Sequence, residues 1–164
     1  MLKLAEVNAL DPELFTIQIR PVFEHSPWVA ARTAKARPFG SRAELHAALC
    51  RTVRQASEDE KLALIRAHPD LVGAAVLTNE SRAEQKSAGL TDLSPEEIER
   101  FRDFNRRYRE KFGFPFVICA RLNKKDAILK AFPTRLENSR EQEIETALGE
   151  IFKIAELRLH DLIP

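Results

Sequence analysis

The chain has 164 residues, of which 44% are hydrophobic and 31% charged, with a formal net charge of +1. That length leaves room for one domain with a real core. The near-neutral balance removes any general electrostatic pull toward nucleic acid or an anionic membrane.

The first residues, Met1-Leu2-Lys3-Leu4-Ala5-Glu6, do not form a signal-peptide apolar region, because Glu6 and Asp11 interrupt it. Asp11-Pro12 predicts a helix start, a capping residue followed by proline at the first helical position. Phe15, Ile19, Val22 and Phe23 then share one face. Ser26-Pro27-Trp28 predicts a second start, and Pro38-Phe39-Gly40 a break. Ser41 with Glu44, and Ser57 with Glu60, have capping-box spacing. Leu45, Leu49, Thr52, Val53 and Ala56 line one side of the helix between them. The next amphipathic run should stop at or near His68, because Pro69 disfavours helical geometry at the residue before it.

After Gly73 the chain reads as a loop or short helical turn up to Asn79. Ser81 with Glu84 is a further capping-box pattern. Ser94-Pro95 with Glu97 opens a long helix whose apolar face is Ile98, Phe101, Asn105, Tyr108 and Phe112, and Gly113 can close it. Phe114-Pro115-Phe116-Val117-Ile118-Cys119-Ala120 interrupts the helical pattern, and no second convincing strand exists to pair with it. It is expected as a buried extended segment whose backbone groups find partners other than a sheet ladder. Asn123 is expected to cap a short helix that ends at Pro133. Ser139 with Gln142 opens the last helix, which runs to about His160.

The expectation is an all-α, single-domain bundle over residues 1–164, with about eight helices and one buried extended segment. No apolar run nears the ~20 residues a membrane-spanning helix needs. The final residues carry no recognisable retention or peroxisomal address. Cys50 and Cys119 lie far apart and outside any metal-ligand pattern, so they read as reduced core residues in a cytoplasmic compartment.

Three features depart from the plain helical pattern. His68-Pro69 puts an imidazole, the side chain best suited to pass protons near neutral pH, on a constrained helix end; a helix-stop or core histidine is the other reading. Glu84-Gln85 sets a carboxylate beside an amide, a pair able to orient a polar ligand. Capping by Glu84 competes with that reading and leaves Gln85 unexplained. Finally, residues 116–120 would offer backbone N–H and C=O groups to a planar heterocycle if they line a cavity, and are otherwise a buried connector. The Arg100, Arg102, Arg106, Arg107, Arg109 and Lys111 block is interleaved with Glu97, Glu99, Asp103 and Glu110. It reads as a solvated, salt-bridged face rather than a nucleic-acid patch. In the last helix, Ile144, Leu148, Ile151 and Ala155 define a core stripe that continues onto Arg158. That arginine snorkels, pairs with a protein carboxylate, or meets a ligand.

Taken together, His68-Pro69-Asp70-Leu71, the segment Ser81-Arg82-Ala83-Glu84-Gln85-Lys86-Ser87-Ala88-Gly89-Leu90, then Asn105, Tyr108 and Lys111-Phe112-Gly113-Phe114-Pro115-Phe116-Val117-Ile118-Cys119-Ala120, resemble the 2-oxo-4-hydroxy-4-carboxy-5-ureidoimidazoline (OHCU) decarboxylases. These enzymes carry out the last step from urate to S-allantoin. The resemblance covers essentially the whole chain. It implies an all-α homodimer that acts on OHCU with no cofactor, no metal, no nucleic acid and no membrane. It implies His68 as catalytic acid/base, Glu84 as its polarising or orienting partner, and Pro69 as a substrate contact. It further implies substrate binding by Ser81, Arg82, Ala83, Glu84 and Gln85, and by the backbone of Phe116, Val117, Ile118, Cys119 and Ala120. A substrate-holding arginine falls on Arg158.

Overall fold

The computed structural model describes residues 1–73 and 75–164. Among the described residues there are nine α-helices, three short 3-10 turns and no strand. The all-α expectation therefore holds, with one helix more than expected: Leu4–Ala9 (α1), whose first turn is held by Glu6 accepting the Lys3 backbone N–H at 2.9 Å. The chain forms two compact units, one of Met1–Ala67 with Phe152–Pro164, the other of His68–Ile151.

In the first unit, α2 is Pro12–Ile19, α3 Pro27–Thr33, α4 Arg42–Gln55 and α5 Glu58–Arg66. The expected starts are present. Asp11 accepts from Leu14 N, and Ser57 and Glu60 make a complete capping box. Ser41 accepts from Glu44 N, but the Glu44 carboxylate takes the Gly40 N–H instead of closing the box on Ser41. Val7, Phe15, Ile19, Val29, Leu45, Leu49 and Val53 are fully buried. Burying each side chain of this size contributes roughly 1.5–3 kcal/mol. Asn8 ties in the segment after α3, donating to Phe39 O and accepting from Phe39 N, both at 2.9 Å.

In the second unit, α6 is Asn79–Ser87, α7 Pro95–Phe112 and α8 Lys125–Leu136, and α9, Arg140–Leu162, begins here and ends in the first unit. Ser94 with Glu97 and Ser139 with Gln142 form reciprocal caps as expected. Gly113 closes α7 at φ 78°, a left-handed conformation that glycine adopts without a Cβ clash.

Two boundaries differ from the expectation. Asn123 does not cap α8; its amide donates back to Cys119 O at 2.9 Å, and Lys124 takes the N-cap position. Nor does Pro133 end that helix, which continues to Leu136. An interior proline costs about 3 kcal/mol. The extra turn carries Arg135, whose buried bonds, described below, offset that cost.

The core of this unit is aromatic. Phe116 stacks on Phe132 with centroids 3.8 Å apart, and Tyr108 meets the Phe116 ring edge-on at 5.3 Å.

Candidate functional site

The helix α5 stops at Arg66 with Ala67 as C-cap, as the His68-Pro69 step requires. His68 is 93% buried, while Pro69 and Asp70 are half-buried. The loop that follows is anchored by side chains of α6 and α7. Gln85 Oε1 accepts the Val72 N–H at 3.2 Å, and Gln85 Nε2 donates to Asp70 O at 3.4 Å. Asn105 Nδ2 donates to Leu71 O at 2.8 Å. Arg109 Nε donates to both Asp70 carboxylate oxygens, at 2.9 and 3.1 Å. Val72 has φ 57°, a left-handed conformation that is a genuine outlier for a β-branched residue. Such strain costs on the order of 1–3 kcal/mol and persists only where neighbours over-determine the backbone.

Helix α6 starts earlier than the Ser81-Glu84 spacing suggests. Thr78 is the N-cap, its hydroxyl accepting from Ser81 N at 3.1 Å. Ser81 is therefore a buried first-turn residue, and Glu84 lies in the helix interior. The capping reading of Glu84 is thereby corrected: a box partner must sit three residues after the cap, a place Ser81 itself occupies. Ser81, Gln85 and Ala88 are buried along one face, with Glu84 half-buried beside them. Arg82 and Ala83 are exposed, and the helix does not bring them to that face.

Residues 114–119 are buried and carry neither helix nor ladder, and Ala120 begins a 3-10 turn, Ala120–Leu122, so the expected extended run ends one residue early. Side chains and one backbone turn satisfy some of their polar groups. Cys119 N donates to Glu150 Oε1 at 3.2 Å, and Cys119 O accepts from Leu122 N and Asn123 Nδ2. Val117 O accepts from Arg135 Nη1 at 2.6 Å. No hydrogen bond among the described residues involves the Ile118 backbone, although Ile118 is only 8% exposed. Burial pushes the Cys119 thiol above its ordinary range, and the charges of Glu150 and Glu84 push it the same way. Helix α6 packs against Ala120–Leu122, the 3-10 turn that follows the segment. His68, Ser81, Glu84, Gln85 and the 116–120 segment all belong to one unit.

The network behind Val117 was not visible in the sequence. Glu143, with no solvent exposure, accepts from Tyr108 Oη at 2.6 Å, Arg135 Nε at 2.7 Å and Asn138 Nδ2 at 2.9 Å. Arg135 also lies over the Phe116 ring, 4.2 Å from its centroid. Each buried charge is thus paired and multiply hydrogen-bonded, the condition for tolerating it in a core. Burial and the Glu143 carboxylate hold the Tyr108 phenol protonated well beyond its ordinary range. The sequence signal was Tyr108, a hydroxyl-bearing residue on the α7 stripe beside Asn105.

Arg158 belongs to the other unit. It is 93% buried, donating to Pro21 O and to Glu24 Oε2 at 3.0 Å each. Of the alternatives its stripe position left open, pairing with a carboxylate is realised. The basic face of α7 is largely ion-paired: Arg106 with Asp103 and Glu110, Arg107 with Asp103, Arg102 with Glu99. No group of three or more potential metal ligands occurs among the described residues, and none of the described helices is long and apolar enough to cross a membrane.

His68, Glu84 and the unladdered segment are thus held in the same compact unit. A family model described as OHCU decarboxylase matches residues 8–160. The chain is 46% identical over 158 residues to the 2-oxo-4-hydroxy-4-carboxy-5-ureidoimidazoline decarboxylase of Haloferax volcanii, covering 96% of this chain and 94% of that protein. Among solved structures it is similar to (S)-allantoin synthase, with TM-score 0.81 and 30% identity over 99% of this chain and 54% of that one. It is also similar to an OHCU decarboxylase crystallised in the presence of (S)-allantoin, with TM-score 0.71 and 27% identity over 84% of this chain and 92% of that one. Sequence motifs, helical architecture and full-length similarity agree: the chain belongs to the OHCU decarboxylase family.

Proposed function

We infer that this chain is a carboxy-lyase that decarboxylates OHCU to S-allantoin, the last step of urate oxidation. The carrying observation is full-length membership of the family together with one unit that holds His68, Glu84 and the 116–120 segment.

The substrate carries its carboxylate on a carbon that also bears a hydroxyl and adjoins a ring imine. As the bond to carbon dioxide breaks, its electron pair forms a double bond to the imine carbon, and the imine nitrogen takes a proton. The resulting enol gives up its hydroxyl proton as the neighbouring carbon gains one, leaving the carbonyl of allantoin. The ring itself is the electron sink. The protein's tasks are orientation and proton transfer, the latter contributing roughly 10²–10⁴-fold.

In our reading His68 moves the proton and Glu84 orients the substrate or the imidazole. The Ile118 peptide group, with Phe116, Val117, Cys119 and Ala120 around it, receives the ring and ureido group. Val117 O, Cys119 N and Cys119 O are already engaged by Arg135, Glu150 and Asn123, whereas the Ile118 peptide is open to a ligand contact. Pro69 and Ser81 complete the surface. The assignment of Arg158 to a substrate oxygen rests on the family resemblance. So does a homodimeric state, which sedimentation of the purified protein tests; a cytoplasmic location rests on the two unpaired cysteines, and fractionation tests it.

The deciding experiment supplies freshly generated OHCU and follows its loss together with the circular dichroism of the product. Accelerated formation of a single allantoin enantiomer supports the reading. Decay at the spontaneous rate, with racemic product, overturns it.

A further inference from the structure

Two side-chain amides take the polar backbone groups of three consecutive residues just after His68. Asp70 O accepts from Gln85 Nε2, Leu71 O accepts from Asn105 Nδ2 at 2.8 Å, and Val72 N donates to Gln85 Oε1 at 3.2 Å. One amide comes from α6 and the other from α7. Arg109, a turn beyond Asn105, grips the Asp70 side chain. The loop so held includes Val72 in a left-handed conformation.

Asn105 is 93% buried, and its Oδ1 has no hydrogen-bond partner among the described residues. The unpaired oxygen offsets part of the stability that the bond to Leu71 O contributes. Leucine would have nearly the same size but would leave the Leu71 carbonyl without the Asn105 donor. What the amide does supply is one bond, to the carbonyl three residues after the imidazole.

We propose that Asn105, acting with Gln85, is a positioning residue for His68. The two amides hold the 70–72 backbone in a conformation it would otherwise leave, and so fix the direction of the imidazole. This rests on the reading of His68 as the proton-transfer group. A misdirected imidazole should slow the chemical step while leaving substrate binding largely intact, and misplacements of about 1 Å cost on the order of 10²-fold.

The test compares wild type, Asn105→Leu and Asn105→Ala. Each is assayed for kcat and KM on freshly generated OHCU, for melting temperature, and for the His68 imidazole resonance and its titration by NMR. His68→Asn identifies the resonance and sets the activity floor. The expected result is a fall in kcat on the order of 10- to 100-fold, KM changed by less than about threefold, and a displaced His68 resonance in folded protein. Either substitution alone is decisive if the other fails to fold. Wild-type kcat, a rise in KM alone, or an unmoved His68 resonance would overturn the proposal. The failure of the underlying reading looks different: wild type itself does not accelerate OHCU loss, or His68→Asn is as active as wild type.

Discussion

Thr78 Oγ1 accepts the Ser81 backbone N–H at 3.1 Å, and this bond removes Glu84 from the helix cap. With Thr78 as cap, Glu84 to Gln has no N-terminal structure to disturb. Glu84→Gln should lower kcat/KM about tenfold or more, equivalent to about 1.4 kcal/mol, with little change in melting temperature. Thr78→Ala should do the reverse, costing about 1 kcal/mol of stability with kinetics near wild type. Parallel losses of activity and stability in Glu84→Gln would count against its role at the substrate.

His68→Asn should keep the fold and lose most activity. The imidazole sits just past a helix that is already terminated by Ala67, so no helical turn depends on it. A loss of roughly 10²–10⁴-fold is expected for a placed proton-transfer group. Near-wild-type turnover in the folded variant would take His68 out of the mechanism.

For Arg158, the Glu24 pairing adds a stability consequence to the kinetic one. Breaking a buried ion pair from one side costs about 3–5 kcal/mol, and Glu24 is 2% exposed. Arg158→Ala should therefore lower stability by that order in a denaturant titration. Arg158→Lys keeps the charge but not the two-pronged contact. It should retain more stability, yet raise KM or lower kcat about tenfold if the guanidinium also receives a substrate oxygen. Wild-type kinetics in a folded Arg158→Lys would leave it as a structural pair only.

Tyr108→Phe removes the hydroxyl that donates to fully buried Glu143. A hydrogen bond to a charged group contributes about 1.5–3 kcal/mol, so stability should fall by that order, read as a shift in the urea midpoint at constant slope. An unchanged midpoint would mean that Arg135 and Asn138 satisfy Glu143 on their own.

Stability should also decline in alkali. Burial pushes the Cys50 thiol from 9.0 up to about 11, Arg54 opposing and Glu156 adding; Cys119 and Tyr108 shift the same way. Because the folded pKa is raised, the folded chain keeps a proton that the unfolded chain loses. The stabilisation is complete below about pH 9 and is lost as pH rises toward about 11. Cys50→Ala should flatten that part of the profile; an unaltered slope would exclude the thiol as its source.

What could be read from the residues is what local chemistry controls. Asp11, Ser57, Ser94 and Ser139 announce their helices because a cap and its partner lie within three residues of each other. Gly113 and Pro69 act within one or two residues in the same way. Residues 114–120 stood out because an apolar, β-branched run with no partner strand has few other fates. His68, Glu84 and Gln85 stood out because their chemistry exceeded what helix formation needs.

Contacts across longer separations could not be read. Thr78 and Ser81 both suit an N-cap, and choosing between them depends on which face of α6 is buried. Pro133 looked like an end because the bonds that carry α8 past it reach from Arg135 to Val117 and Glu143, 18 and 8 residues away. Asn105 looked like one more position on the α7 stripe until Leu71, 34 residues back, was seen to accept its amide. Arg158 and Glu24 are 134 residues apart. A hydrogen bond of this kind depends on distances that chain spacing does not set, so partner identity emerges only when packing brings the helices together.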